Sequence, residues 1–262
     1  MATTGIDAPG RAKIDAATLR TDRWWLQPLV VFLALTAFVV YSAWRVFMGK
    51  YYYSSPYISV YYSPCLVTTC TEGAEPGGPI SWWTLSPALL TAWIPLTFRF
   101  SCYYYRKAYY RAFWMSPPAC AVAEPHGKYT GERRMPLILN NVHRYTFYLA
   151  LVLNVILTWD AVVAFRNSEG QWGHMGLGTV ILTVNAIALW LYTLSCHSCR
   201  NAVGGRITHF SKHPVRYQMW TFISKLNAHH MRWAWVSLCT VVLADFYVYL
   251  LASGHATDLR FF

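Results

Sequence analysis

Tyr145–Phe165 reads YTFYLALVLNVILTWDAVVAF, with Asp160 its one charged residue. About 20 mostly apolar residues carry a helix across the hydrocarbon of a bilayer. A soluble amphipathic helix of this length would show a broad charged face, which this stretch lacks. It is therefore expected to span a membrane. Working outward, four further stretches have the same character: Leu26–Phe47, Trp82–Phe100, Met175–Cys196 and Trp233–Leu251. Pro87 and Pro95 fall inside the second and predict a kink there, since membrane helices tolerate proline where neighbours satisfy the freed carbonyls.

The composition agrees. Only 13% of the 262 residues are charged and 55% are hydrophobic, against roughly 25% charged in an average soluble domain. There are 13 Trp and 19 Tyr, the residues that collect where hydrocarbon meets headgroups. The net charge of +11 lies between the apolar runs, so it reads as topology rather than nucleic-acid binding. Counting Lys and Arg, 18 flank one side of the five stretches and four the other. The richer side is cytoplasmic by the positive-inside rule. The expectation is an all-α polytopic membrane protein, a bundle of five transmembrane helices with N-in/C-out topology. Its parts are a cytoplasmic segment 1–25, a membrane domain 26–252 (26–47, 82–100, 145–165, 175–196, 233–251) and an outer tail 253–262. No secretory signal is expected: the chain is polar to Arg23, and its first apolar run exceeds an h-region. No GxGxxG or Walker motif and no internal repeat is present.

Between spans, Tyr103–Trp114 (YYYRKAYYRAFW) mixes aromatic and basic residues and reads as an interfacial extension of the second helix. The loop Cys199–Arg232 has six basic residues and no acid. It suits anionic lipid or the docking of a soluble partner. The outer segment from Lys50 to Ser81 is long, with Gly, Pro, Ser and Thr, and its Tyr-rich part Tyr51–Tyr62 fits short extended structure or a re-entrant cap. Its Cys65 and Cys70 can pair oxidatively there.

Polar residues inside spans are costly and usually functional. Helical phase puts His143, Ala150, Asn154 and Ala161 on one line of the third span. It also puts His230, Ala234, Ser237 and Asp245 on one face of the fifth, with His229 about 100° from His230. Small and polar residues packing helix on helix explain Asn154 and Asn185. They explain the cytoplasmic ends less well. The third span is preceded by His143, the fourth runs into Cys196-His197-Ser198-Cys199, and the fifth follows His229-His230. These ends lie at one depth, because the helices alternate in direction.

Cys and His together form the ligand set of a transition metal or cluster. Cys196 and Cys199, three apart on a helix, would point both thiols the same way. That suits two thiolates on one iron, with His143 and His230 on the other, the ligand set of a Rieske-type 2Fe–2S cluster. Haem b held by two of His143, His197 and His230 is a second option, and a structural zinc a third. Covalent haem c is not expected, because Arg200 stands where that motif places its His. Cys102 and Cys239 read as small packing residues, Cys120 as a free thiol and His174 as an interfacial residue. Asp160 reads as a snorkelling or hydrogen-bonded residue. Asp245 shares the face of His230 and is kept as part of a proton route.

Several strings, in order along the chain, resemble the single five-helix membrane-anchor subunit of actinobacterial-type succinate dehydrogenase (respiratory complex II). They are TDRWW (Thr21–Trp25), YYSPC (Tyr61–Cys65), NNVHRYTFY (Asn140–Tyr148), SCHSC (Ser195–Cys199) and NAHHMRWAW (Asn227–Trp235). The resemblance covers essentially the whole chain. It implies an anchor in the bacterial plasma membrane that is not catalytic alone, docks separate flavoprotein and iron–sulfur subunits, and serves the respiratory chain and tricarboxylic acid cycle. It also implies a Rieske-type cluster where relatives hold haem b, and menaquinone as the quinone. A higher oligomer of the complex is compatible with it. Haem-bearing anchors of this type carry His on their first two helices, whereas no His precedes His126 here. His229, Arg232 and Trp233 flank the proposed ligand and are the candidate quinone-binding residues. The competing classes are a haem b quinone-reactive cytochrome of another oxidoreductase, a metal-free transporter or channel using Asp160, Asp245, Asn154 and Asn185, and a scaffold.

Overall fold

The computed structural model describes residues 20–74, 77–122, 132–135 and 137–262. Most of the expected 1–25 segment, including Arg11 and Lys13, and also His126, lie outside them. The described residues form eight α-helices: α1 (Leu26–Met48), α2 (Leu89–Ser101), α3 (Tyr103–Trp114), α4 (His143–Val163), α5 (Leu177–Leu194), α6 (His197–Gly204), α7 (Pro214–Asn227) and α8 (His230–Ala252). A two-residue hairpin, β1 (Tyr53–Ser54) with β2 (Tyr57–Ile58), caps one end. By length and composition, four helical stretches can cross a membrane: α1, Leu137–Val163 containing α4, α5 and α8.

The second expected span differs. Its helix begins at Leu89, not Trp82. Pro87 has no N–H to continue a helix toward Trp82; its carbonyl instead accepts from Leu90 N at 3.2 Å in the opening turn. The indole of Trp83 donates to the Ser86 carbonyl at 3.1 Å, closing a turn where helix was expected. At 13 residues, α2 is about 20 Å long, short of the hydrocarbon thickness. Pro95 does lie within it. The chain breaks again at Cys102, whose ψ of 130° is extended. Tyr103–Trp114 is thus a separate helix, which packs back on α1 through Phe32 and Phe113.

The bundle is built on α8, α5 and α4, packed through small residues. Ala161, Ala164, Ala186 and Ala244 are buried together, and such residues let apolar helices approach closely. Asn154 Nδ2 donates to Leu189 O and Thr193 Oγ1 across the α4–α5 seam, as helix-on-helix packing predicted. Large apolar side chains such as Val152, Val155, Trp159, Val184 and Ile187 stay exposed on outward faces, which suits a hydrocarbon surround. At the hairpin end, a disulfide joins Cys65 to Cys70 and Tyr52 stacks on Tyr62 at 4.2 Å. Beneath this cap lies a fully buried ion pair, Arg45 Nε to Asp245 Oδ2 at 2.7 Å.

Candidate functional site

The end opposite the hairpin gathers the Cys and His residues. Four polypeptide breaks converge there: the α2–α3 junction (Ser101, Cys102), the start of α4 (His143), the α5–α6 junction (Ser195, Cys196, His197, Cys199) and the start of α8 (His230). Cys102, Cys196, Cys199 and His230 are buried and His143 is half-buried.

The two imidazoles have matched surroundings. His143 has Nδ1 3.0 Å from Ser101 Oγ and Nε2 2.9 Å from Cys196 Sγ. His230 has Nδ1 2.7 Å from Ser195 Oγ and Nε2 3.3 Å from Cys102 Sγ. Each ring stacks on an aromatic: His143 on Phe98 at 4.9 Å, His230 on Tyr192 at 5.2 Å. Ser101 Oγ donates to Thr97 O and Ser195 Oγ to Tyr192 O, so each serine is placed to accept from Nδ1–H and leave Nε2 for a ligand, the arrangement outer-shell partners give metal-binding histidines. Cys196 is buried, and a thiol binds a metal as its thiolate.

The structure corrects one premise. The fourth span ends at Leu194, and Cys196 is the N-cap of α6, in extended conformation with ψ 148°. Cys196 and Cys199 do not share a helix face; the chain turns at Cys196, and Ser198 N donates to its sulfur at 3.4 Å. The expectation for Cys102 also changes. It is a buried thiol in contact with His230, not only a packing residue. Its signal in the sequence was its place one residue after Ser101 at the end of the second span. Arg99, counted as a loop charge, is buried instead. Its guanidinium donates to Tyr105 Oη at 2.8 Å and Ser237 Oγ at 3.2 Å, and lies 4.8 Å from the Tyr192 ring.

His229 and Arg232 are exposed and Trp233 half-buried. The Trp233 indole N–H is buried with no hydrogen-bond partner among the described residues. Asp245 does not join this site: it is held by Arg45, Tyr41 and Ser59 near the opposite end of α8, because a buried carboxylate requires a counter-charge. Asn154 bridges helices, and Asp160 is half-buried near the far end of α4. Of the polar residues named for a transport path, Asn154 and Asp245 are thus engaged in separate structural contacts, while Asp160 Oδ2 and Asn185 Oδ1 are buried with no hydrogen-bond partner among the described residues. Among the described residues no three His, Cys, Asp or Glu side chains converge as a single metal ion requires. A binuclear cluster imposes a different demand, two protein ligands per iron.

Residues 26–254 match the model of the family described as actinobacterial succinate dehydrogenase subunit SdhC. The chain is also similar to a solved chain of the "Mycobacterium smegmatis Sdh1 complex in the apo form", with 53% identity, 99% of each chain covered and a TM-score of 0.87. No curated protein matches it.

Proposed function

Because the chain belongs to the actinobacterial succinate dehydrogenase SdhC family, we propose that it is the plasma-membrane anchor of that enzyme and carries a membrane-embedded redox centre serving a quinone. It is a multi-pass membrane subunit and not catalytic alone. Soluble flavoprotein and iron–sulfur subunits dock at the Cys/His end, where the basic loops place the cytoplasm.

Five crossings follow if the segment before α2 completes the second pass. The hairpin cap and Tyr62 contact Gly49 and Arg45 at one end, while Ser101 contacts His143 at the other. The chain between them has to traverse the bundle. The 13 residues of α2 supply about 20 Å, and the extended residues before it the remainder.

On the family resemblance we assign the centre as a Rieske-type 2Fe–2S cluster held by Cys196, Cys199, His143 and His230, with Cys102 a further thiol beside His230. The observation that supports a redox centre at this end is the meeting of buried thiols and imidazoles, Cys196 Sγ beside His143 Nε2 and Cys102 Sγ beside His230 Nε2, whereas a Rieske cluster takes two Cys on one iron and two His on the other. A haem would need an apolar slot between its two axial imidazoles, but here both Nε2 atoms abut thiols. When bound, such a cluster supplies one-electron transfer at a potential raised by its His ligands. Ser101 and Ser195 orient the rings, Phe98 and Tyr192 exclude water, and Arg99 places a positive charge beside the site. The unpaired Trp233 N–H is suited to a quinone carbonyl, with exposed His229 and Arg232 at the same helix start; on the family resemblance the quinone is menaquinone.

The test is EPR and absorption spectroscopy of the purified complex, together with iron and acid-labile sulfide analysis, before and after His143→Ala and His230→Ala. The expected result is loss of a Rieske-type signal and of quinone reduction, with succinate oxidation by an artificial dye retained. A Soret band, or a signal unchanged in both variants, refutes the assignment.

A further inference from the structure

Beside the redox site lies a second polar cavity of about 730 Å³, outside the residues used above as ligands. Arg144 at the start of α4, His197 and Arg200 on α6, and Trp220 on α7 line it, and among the described residues none that lines it is acidic. Its wall depends on Gly204, where a Cβ would meet the Trp220 ring at 2.3 Å. Trp220 in turn lies 4.7 Å from the Arg200 guanidinium. Asn201 Oδ1 accepts from Arg144 Nη2 at 3.1 Å, holding that side chain at the rim. Arg200 Nε is buried with no hydrogen-bond partner among the described residues. Two guanidiniums with an unspent buried donor and no carboxylate make a site for an oxyanion.

The cavity's position narrows the anion. Tyr145 lines it and is 70% exposed. Below Tyr145, the exposed residues Tyr148, Val152, Val155 and Trp159 continue down α4. Their spacing of three and four puts them on one face. The mouth therefore opens at the head of an unpartnered apolar stripe, and one occupant satisfying both surfaces has an anionic head and hydrocarbon chains. We propose that this cavity binds the phosphate of an anionic phospholipid from the adjacent leaflet, with Arg144 and Arg200 as ligands and the acyl chains along the α4 stripe. A carboxylate from a docked soluble subunit would account for the arginines but not for a cavity placed at the head of a lipid-facing stripe.

The experiment uses the whole complex, purified in mild detergent and delipidated. Its thermal stabilisation is titrated with phosphatidylglycerol, phosphatidylcholine and inorganic phosphate. The expected result is saturable stabilisation by phosphatidylglycerol alone. Arg144→Gln and Arg200→Gln should each weaken it about fivefold and together about thirtyfold, while Arg206→Gln, outside the cavity lining, leaves it unchanged. Arg144→Lys with Arg200→Lys should retain most of the response. Equal affinity in the double Gln variant overturns the proposal, as does an equal response to inorganic phosphate. Release of the soluble subunits with lipid affinity unaltered also overturns it and points to a protein carboxylate. Should the Gln variants fail to fold, the three-ligand comparison on the unmodified complex decides the matter, since equal stabilisation by phosphatidylcholine is equally fatal.

Discussion

Replacing Asp245 by Asn should destabilise the protein heavily without touching its redox chemistry. Both members of the Arg45–Asp245 pair have fully buried side chains. The contact is bidentate, with Arg45 Nε on Oδ2 at 2.7 Å and Nη2 on Oδ1 at 3.1 Å, and Ser59 Oγ and Tyr41 Oη add hydrogen bonds to the carboxylate. Asparagine keeps the shape and leaves the guanidinium buried and uncompensated, at a cost of about 3–5 kcal/mol. For a chain of this size that is a fall in Tm on the order of 10 °C. The double variant Arg45→Met with Asp245→Leu removes both charges, and an apolar replacement of a buried pair is often neutral. What remains is the loss of hydrogen bonds to Ser59, Tyr41 and the Lys50 and Tyr51 carbonyls; Ser59 is the fully buried one, at about 1–3 kcal/mol. The double variant should therefore melt above Asp245→Asn. Thermal unfolding of the detergent-purified complex reads both, and EPR at low temperature should show the redox centre unchanged, since Asp245 lies about 22 Å from His230 along α8. A double variant that melts no higher than Asp245→Asn, or an Asp245→Asn cost under about 1 kcal/mol, would refute the claim that an uncompensated charge is the source of the penalty.

Other perturbations address the redox end and the cap. Ser101→Ala and Ser195→Ala remove the Nδ1 partners of His143 and His230; each should weaken metal retention about 10–100-fold, measured as iron remaining after chelator challenge. Arg99→Gln removes a buried charge that has no acid at ion-pair distance among the described residues. It should lower the midpoint potential of the centre by tens of mV in a redox titration, because the positive charge favours the reduced state. Cys102→Ser and Cys199→Ser, compared by EPR, separate the thiols: a ligand abolishes the signal and a neighbour only shifts it. Replacing both Cys65 and Cys70 by Ser opens a bridge of sequence separation five and should cost about 2 kcal/mol, read as a lower melting temperature with quinone reduction preserved.

Much of the fold was legible because burying apolar length in hydrocarbon is a property of each segment alone. Leu26–Phe47, Tyr145–Phe165 and Trp233–Leu251 lie within three residues of helices α1, α4 and α8 at every boundary. Trp82–Phe100 misled for the same reason: hydropathy registers composition, while the turn from Trp83 to Ser86 is made by specific hydrogen bonds. That His230 rather than His229 turns into the bundle was readable from helical phase, which is local. Cys102 and Ser101 were not, because their role depends on a chain break that meets α8 and α4 in space.

From its sequence alone this chain was determined to be a membrane protein with apolar spans, basic loops gathered at one end, and imidazoles and thiols near the same helix ends. Those are sums over neighbouring residues, and water and lipid act on them directly. Tertiary structure alone decided which thiol meets which imidazole, that Asp245 answers Arg45 across 200 positions of chain, and that Arg144 and Arg200 share one cavity. Such pairings are set by the register and rotation of packed helices, and no single helix carries that information.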